Sequence, residues 1–507
     1  MSHDLNRALA HAKDLLRQRA ADDAIAVLAP LAARHPDHAE CHLLLGAAYR
    51  FAARWPACEA AYRRAIALAP ADARAHNNLA DALRAQGDFG AALPLARQAL
   101  ALDPDNLEAL RNLIAIEHGR GDFTAAADAA RAAQKRAPDD HRLDLTLARI
   151  EHDAGHLKEA SASYQRFLHA EPTHVGALTD LGMIFIQLNK DEDALNAFKT
   201  ALSIDPKHAP AQFGQAQARA NLIPPWHIPM MNEPKRNEAY RDAIRRVVKP
   251  GDLVLDVGAG AGLLSMLAAE AGAGQVIGCE MVREVAEEAE AIVARNGFAE
   301  RISIVHAHSR GLRIGEHLPR RADVLVSEIL ADDFVGEGAL PSLIDVIERL
   351  VAPGARIIPE RGKAMSLLVG GEHIAYLLGL NTACGFDVSS FAKLKPWQQA
   401  IPGKIAYEAF SDEFALVDYD FNDISTLQPA DTTIDVPIVA PGLCYGVLQW
   451  LRLDLAPGVS YENHPTDTVS VWNKRLYAFP SPIEVASGDV LKLRVWQDQH
   501  YLFVTNA

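Results

Sequence analysis

At 507 residues the chain is too long for a single hydrophobic core, and about three domains are expected. Its 49% apolar and 23% charged residues are those of a globular protein, and a net charge of −15 argues against a nucleic-acid-binding surface and favours basic partners. The five cysteines (Cys41, Cys58, Cys279, Cys384 and Cys444) are scattered and lack CxxC spacing, which excludes a disulfide framework or zinc site and implies reduced thiols in a cytoplasmic setting. None of the twenty histidines falls in a HExxH arrangement, so no metal is expected. The N-terminus lacks a basic segment followed by an apolar one, so no signal peptide is expected, and no apolar run is long enough to span a membrane.

Pro36, Pro70, Pro104, Pro138, Pro172 and Pro206 follow one another at 34-residue intervals, the mark of a repeat array. Within one period Leu79, Ala80 and Leu83 precede Gly87-Asp88, and Ala91, Ala92, Ala96 and Ala99 lead on to Pro104. Two helices meeting at a Gly-Asp turn, with the proline closing the second, fit that order. Leu45-Gly46, Tyr49, Tyr62 and Ala65, and again Leu181-Gly182, Phe185, Ala194, Phe198 and Ala201, resemble the tetratricopeptide consensus. The array is assigned to residues 1–218. Its stacked pairs form either a peptide-binding groove, with Asn77, Asn78, Arg111 and Asn112 among its polar positions, or a spacer or oligomerisation surface.

A proline-rich stretch from Leu222 ends the repeats, and residues 219–249 form a linker and a helix carrying Arg236, Tyr240 and Ile244 on one face. The strand Leu253 to Val257 then runs into Gly258-Ala259-Gly260-Ala261-Gly262, a turn that opens a helix. Glycines there let the backbone approach a ligand, and a helix N-terminus favours negative groups. A second strand ends in Glu280, where a carboxylate should meet a ribose diol. The GxGxG turn with Asp256 before it resembles class I methyltransferases that bind S-adenosylmethionine.

A third apolar run, Val324 to Val326, reads as a buried parallel strand, with Glu328 at its end and Glu337 between Gly336 and Gly338. Two carboxylates beyond a strand end repel one another unless a cation sits between them, and a planar guanidinium is well shaped for that place. Ser327-Glu328, with Glu337 nine residues on, resembles the double-glutamate loop of protein arginine methyltransferases. Met230 and Arg236 keep the spacing of that family's Met…Arg helix, and Ser470-Val471-Trp472 stands where it usually has Thr-His-Trp. The likeness covers residues 222–507 and is nearest to the subclass with N-terminal tetratricopeptide repeats; Arg236-Asn237-Glu238 and Gly336 to Ser342 also resemble the monomethylating branch. Both branches usually carry two catalytic modules, and this chain has one.

The resemblance implies an all-α repeat solenoid, then a Rossmann-like cofactor domain at 250–358, then a β-barrel substrate domain at 359–507 with an inserted helical dimerisation arm at about 377–395. It implies transfer of a methyl group from S-adenosylmethionine to arginine in protein substrates, with Glu328 and Glu337 holding the guanidinium. Arg236, Asp256, Gly258, Gly260, Gly262, Glu280 and Ser309 would hold the cofactor, Ser309 standing near the place of the family's adenine-binding acid. Met230 either packs beside the transferring methyl or fills core, and Trp472 either stacks on the substrate or belongs to the barrel interior. The family's capping tyrosine has no counterpart before His227, and Val471 replaces its histidine. A homodimer and a role for the repeats in recruiting substrate are further expectations, without direct nucleic-acid or membrane contact. A small guanidino metabolite as substrate, or a scaffold with weak activity, are the alternatives.

Overall fold

In the computed structural model the 34-residue period becomes stacked helix pairs. The structure describes residues 2–379, 382–467 and 470–507, and the side chains of all of these except Ser2, His3 and Glu337. It divides into two compact units, one ending at Leu222 and the other beginning at Ile223.

Among the described residues the first unit is a run of thirteen helices from Ser2–Arg17 to Ala209–Leu222. Each repeat proline stands two residues beyond a helix, as Pro70 does after Trp55–Leu68 and Pro172 after Leu157–Ala170. Small residues on the first helix of a pair face aromatic residues on the second: a Cβ on Gly46 would lie 2.5 Å from the Tyr62 ring, and one on Gly182 would lie 2.6 Å from Phe198. The turn inside each pair repeats a left-handed residue at the same period, Arg19, Ala53, Gly87, Gly121, Gly155 and Asn189. After two of these turns an aspartate caps the next helix, Asp88 accepting from the Ala91 N–H at 2.9 Å and Asp122 from that of Ala125 at 3.0 Å.

The second unit starts with the short helix His227–Met231 and the helix Pro234–Val247, whose Arg236, Tyr240 and Ile244 are buried on one face. Five parallel strands follow: β1 (Leu253–Val257), β2 (Gln275–Glu280), β3 (Ile302–His306), β4 (Ala322–Ser327) and β5 (Val351–Ile358). Their order is β3-β2-β1-β4-β5. The order reverses between β1 and β4, the crevice where open α/β sheets bind ligands. Val257 pairs with Ser327 in this register, so the glycine turn and the acidic loop leave the sheet side by side.

The C-terminal part is antiparallel. Its long strands are β6 (Arg361–Gly370), β13 (Gly442–Ala456) and β15 (Lys474–Val485), flanked by β9 (Gln398–Ile401), β10 (Glu408–Ala409), β11 (Phe414–Asp420) and β14 (Val459–Glu462) in a seven-stranded sheet. Strands β12 (Ala430–Pro437), β16 (Val490–Gln497) and β17 (Leu502–Asn506) form a second sheet. The expected barrel thus takes the form of two antiparallel sheets, which share one apolar core with the parallel sheet. The arm differs from the helical insertion expected: after the helix Glu372–Leu378 it consists of β7 (Thr382–Ala383), β8 (Phe386–Asp387) and the 3₁₀ turn Ser389–Leu394. Gly385 turns the β7–β8 hairpin with φ +85°, a conformation that stops a helix there.

Candidate active site

The glycine turn is built for close approach. Gly258, Gly260 and Gly262 all have positive φ. A Cβ on Gly258 would lie 2.3 Å from Ile329 Cγ2 in the acidic loop, whereas the space beside Gly260 is open. Gly258 therefore lets the acidic loop lie against the turn, and Gly260 leaves room for a ligand.

Two acids frame this turn. Asp256 is fully buried; its Oδ2 accepts from Ser265 Oγ at 2.6 Å and its Oδ1 has no partner. Burial pushes its carboxyl up to about 6, against the pull of the Ser265 bonds. A buried acceptor without a donor at a strand end is the kind of group a ligand satisfies. Glu280 accepts from the Gly260 N–H at 3.1 Å and from the Val282 N–H at 2.9 Å, which leaves lone pairs for a hydroxyl. Ser309 is buried at the start of a 3₁₀ turn after β3, with its carbonyl accepting from Arg349 Nη2 at 3.4 Å. Orphaned acceptor, open glycine cradle and terminal acid fit an adenosine-type cofactor.

The structure brings Arg236 and Glu328 together. Arg236 Nε donates to Glu328 Oε1 at 2.5 Å, and its Nη2 lies against Glu328 Oε2. Both side chains are buried, and burial holds the guanidinium below its ordinary range. The arginine also lies over the Tyr240 ring, 5.3 Å from its centroid. Glu328 therefore already forms an ion pair with a guanidinium, its Oε1 accepting the hydrogen bond. Glu337 falls in the 3₁₀ turn Gly336–Gly338, and its side chain lies outside the described residues. Met230 is half-buried in its short helix, its carbonyl accepting from the Glu233 N–H at 3.3 Å.

The acidic loop is fastened to the antiparallel sheets by groups far away in sequence. Trp472 Nε1 donates to the Leu330 carbonyl at 3.0 Å, and its ring packs at 5.4 Å from Tyr461. At 4% exposure Trp472 belongs to the shared core. Asn473 donates through its backbone and side chain to Asp332 at 3.0 and 3.1 Å, and Gln449 donates to the Asp332 carbonyl at 3.0 Å. Burial raises the Asp332 carboxyl, while Asn473 and Arg475 pull it down.

Glu233 is a buried acid that sequence reasoning passed over. It accepts from the Tyr461 hydroxyl and from the Val471 N–H at 2.9 Å, so it ties the Arg236 helix to the Ser470–Trp472 segment. Burial first, and then Glu233, raise the Tyr461 hydroxyl above its ordinary range. A local signal existed, since Glu233 precedes a proline at the first helical position, one turn before Arg236. Asp332, Gln449 and Asn473 carry no such signal.

Fold and site together define a methyltransferase with a nucleotide-type cofactor site. A family model described as ribosomal protein L11 methyltransferase matches residues 241–360, the span of the parallel sheet, and a tetratricopeptide repeat model matches residues 9–73, 48–93, 77–141 and 145–220. Arginine N(omega)-methyltransferase of Streptomyces achromogenes subsp. streptozoticus is 32% identical over 294 residues, 56% of this chain and 79% of that protein. Protein arginine N-methyltransferase 9 of Homo sapiens is 25% identical over 385 residues, covering 68% of this chain and 45% of that protein. Among solved structures, the Trypanosoma brucei PRMT1 enzyme-prozyme heterotetrameric complex with AdoHcy aligns with 22% identity and a TM-score of 0.48, covering 55% of this chain and 97% of that one. The chain belongs to the arginine N-methyltransferase family. It spans most of the Streptomyces relative but less than half the length of the human one.

Proposed function

We propose that this protein transfers a methyl group from S-adenosylmethionine to a guanidino nitrogen of arginine in protein substrates. The observation that carries this reading is the ion pair that Glu328 forms with a guanidinium at the switch point of the sheet, beside the glycine turn. The cofactor supplies a methyl group on a sulfonium, an electrophile that needs an aligned nucleophile. Asp256, Gly258, Gly260, Gly262, Glu280 and Ser309 would hold its adenosine part, and Arg236 its amino-acid carboxylate.

Arg236 pairs with Glu328 in this structure, and its guanidinium would also suit the cofactor carboxylate beside the glycine turn. Glu328 and Glu337 draw the substrate's positive charge toward the nitrogens they bond, which leaves the remaining nitrogen more nucleophilic. Glu233, Trp472 and Asp332 position this clamp. Residues 250–358 act as the cofactor domain, 359–507 as the substrate side and 1–218 as a recruiting surface. Phe386, Phe391 and Leu394 are exposed apolar side chains along the arm, with Tyr376 exposed on the helix before it, which supports a homodimer built through this segment. A cytoplasmic location agrees with five free cysteines.

A second reading has free arginine as substrate, favoured by the Streptomyces relative, whose name specifies arginine without "protein". Incubation with labelled S-adenosylmethionine and either an arginine-rich peptide or free arginine separates the two. Label in the peptide, lost in Glu328→Gln, supports the protein-directed reading; label in free arginine alone overturns it. Sedimentation that shows only monomer at micromolar concentration would remove the dimer.

A further inference from the structure

The repeat unit holds a pocket of its own, with a volume of 420 Å³, between the helices Leu107–Gly119 and Arg142–Asp153. Both are first helices of their pairs. One pair earlier the corresponding helices touch, with Asn112 Nδ2 donating to Asn77 Oδ1 at 2.8 Å. At the next step a pocket opens. Its floor is apolar, formed by Ile114, Leu143 and Ile150, and its rim carries Arg111, Arg142 and Arg149.

These three arginines are not equivalent. Arg111 is spoken for, donating to Glu108 at 2.9 Å and to Asp140 at 2.6 Å. Arg142 and Arg149 are exposed, and neither has a carboxylate within ion-pair distance among the described residues. Arg149 hydrogen-bonds the Tyr164 hydroxyl, a neutral partner that itself donates to Asp180 at 3.1 Å, so the Arg149 charge is met by no carboxylate among the described residues. On the other wall His118 faces Asp153 at 2.7 Å. Arg142 and Arg149 are seven positions apart on one helix, so they stand two turns apart on one face. The excess of cations is local to this pocket: residues 1–222 contain 25 Lys and Arg against 28 Asp and Glu.

From this we infer that the pocket between the helices Leu107–Gly119 and Arg142–Asp153 docks an acidic protein segment, in which an apolar side chain fills the floor while flanking carboxylates meet Arg142 and Arg149. Charge complementarity selects that occupant, because an arginine-rich segment would meet like charge at the rim. The pocket is therefore opposite in sign to the Glu328 loop, which takes a cation. The repeats recruit through acidic sequence, and the methyl-accepting arginine lies elsewhere in the partner. This goes beyond the methyl-transfer reading and is measured without it.

The test is fluorescence anisotropy with the full-length protein and three fluorescein-labelled peptides, in which a Leu-Phe pair is flanked by Glu and Asp, by Gln and Asn, or by Lys and Arg. The acidic peptide should bind saturably, more weakly as salt rises. Its affinity should fall about tenfold or more in the double variant Arg142→Glu/Arg149→Glu, and the basic peptide should gain affinity in that variant. Arg142→Lys/Arg149→Lys, which keeps the charge, should retain most of the binding. Equal binding of the neutral or basic peptide to the unaltered protein overturns the assignment, as does an unchanged affinity after charge reversal or no saturable binding of any peptide. Methylation of a short basic peptide should be the same in the reversal variant. If the unaltered protein transfers no methyl group at all, the proposed activity fails and the anisotropy result stands by itself.

Discussion

The repeat unit buries its apolar residues in four clusters, each shared by neighbouring helices. From Ile223 onward one cluster runs from Tyr240 to Val504, with a smaller one beside the arm. The bonds that shape the site are correspondingly long in sequence: Arg236 to Glu328 spans 92 residues, Trp472 to Leu330 spans 142, and Tyr461 to Glu233 spans 228. In the array, contacts recur once per repeat, so a local pattern suffices to specify them. In the catalytic unit the site takes shape only when the Arg236 helix, the parallel sheet and the seven-stranded sheet have come together. A substitution should therefore act over a short range in the first unit and at a distance in the second.

The largest expected effect is at Glu328. Glu328→Gln keeps the size of the side chain and removes its charge, and methyl transfer should fall by about 10²–10³ with little change in cofactor affinity. Radiolabel transfer and calorimetric titration of the cofactor check this, and equal loss of both would make Glu328 a cofactor ligand instead.

The pH response should have opposite signs at two carboxyls, Asp256 in the second unit and Asp72 in the first. Asp256 is raised in the folded state, so its contribution to stability is full below the ordinary carboxyl value near 3.8 and is lost as pH rises through about 6. This amounts to about 2–3 kcal/mol, and Asp256→Asn should remove that decline from thermal melts of the ligand-free protein between pH 4 and pH 6. In the array Asp72 is held below its ordinary value by its bond from Arg74, so its contribution is present at neutral pH and fades on acidification. A melt that rises between pH 4 and pH 6, and is unaffected by Asp256→Asn, would sink this contrast.

Trp472→Phe tests action at a distance. It keeps an aromatic ring but removes the donor to the Leu330 carbonyl, an expected cost of about 1–3 kcal/mol in anchoring the loop. Transfer should fall about tenfold or more while circular dichroism stays unchanged. Unaltered turnover would mean that the loop keeps its place through Asn473 and Gln449 alone.

The smallest effect is expected in the array. Ala53 occupies the left-handed turn position that Gly87, Gly121 and Gly155 hold in other repeats. Ala53→Gly should therefore stabilise by up to about 1 kcal/mol, read as a higher unfolding midpoint with unchanged transfer rate. A lower midpoint would show that the turn is relaxed as it stands.

Much of this molecule is legible in its sequence because the physics involved is local. The prolines at 34-residue spacing, the Gly87-Asp88 type of turn, and the small residues at Gly46 and Gly182 opposite Tyr62 and Phe198 determine helix pairs through caps, turns and neighbouring faces. The apolar strand into Gly258, Gly260 and Gly262, the terminal acid Glu280 and the Glu328 loop likewise declare a cofactor turn and an acidic loop, since each needs only a short stretch of chain. Tertiary structure alone decided that Arg236 meets Glu328, that Trp472 is a buried anchor for Leu330, and that Glu233 links its helix to the Ser470–Trp472 segment. It also decided that Arg142 and Arg149 rim a pocket while Arg111 is already paired. The reason is the same in each case. A buried polar group takes whichever partner the packed elements bring within about 3 Å, and no periodicity in the chain records a pairing across a hundred residues.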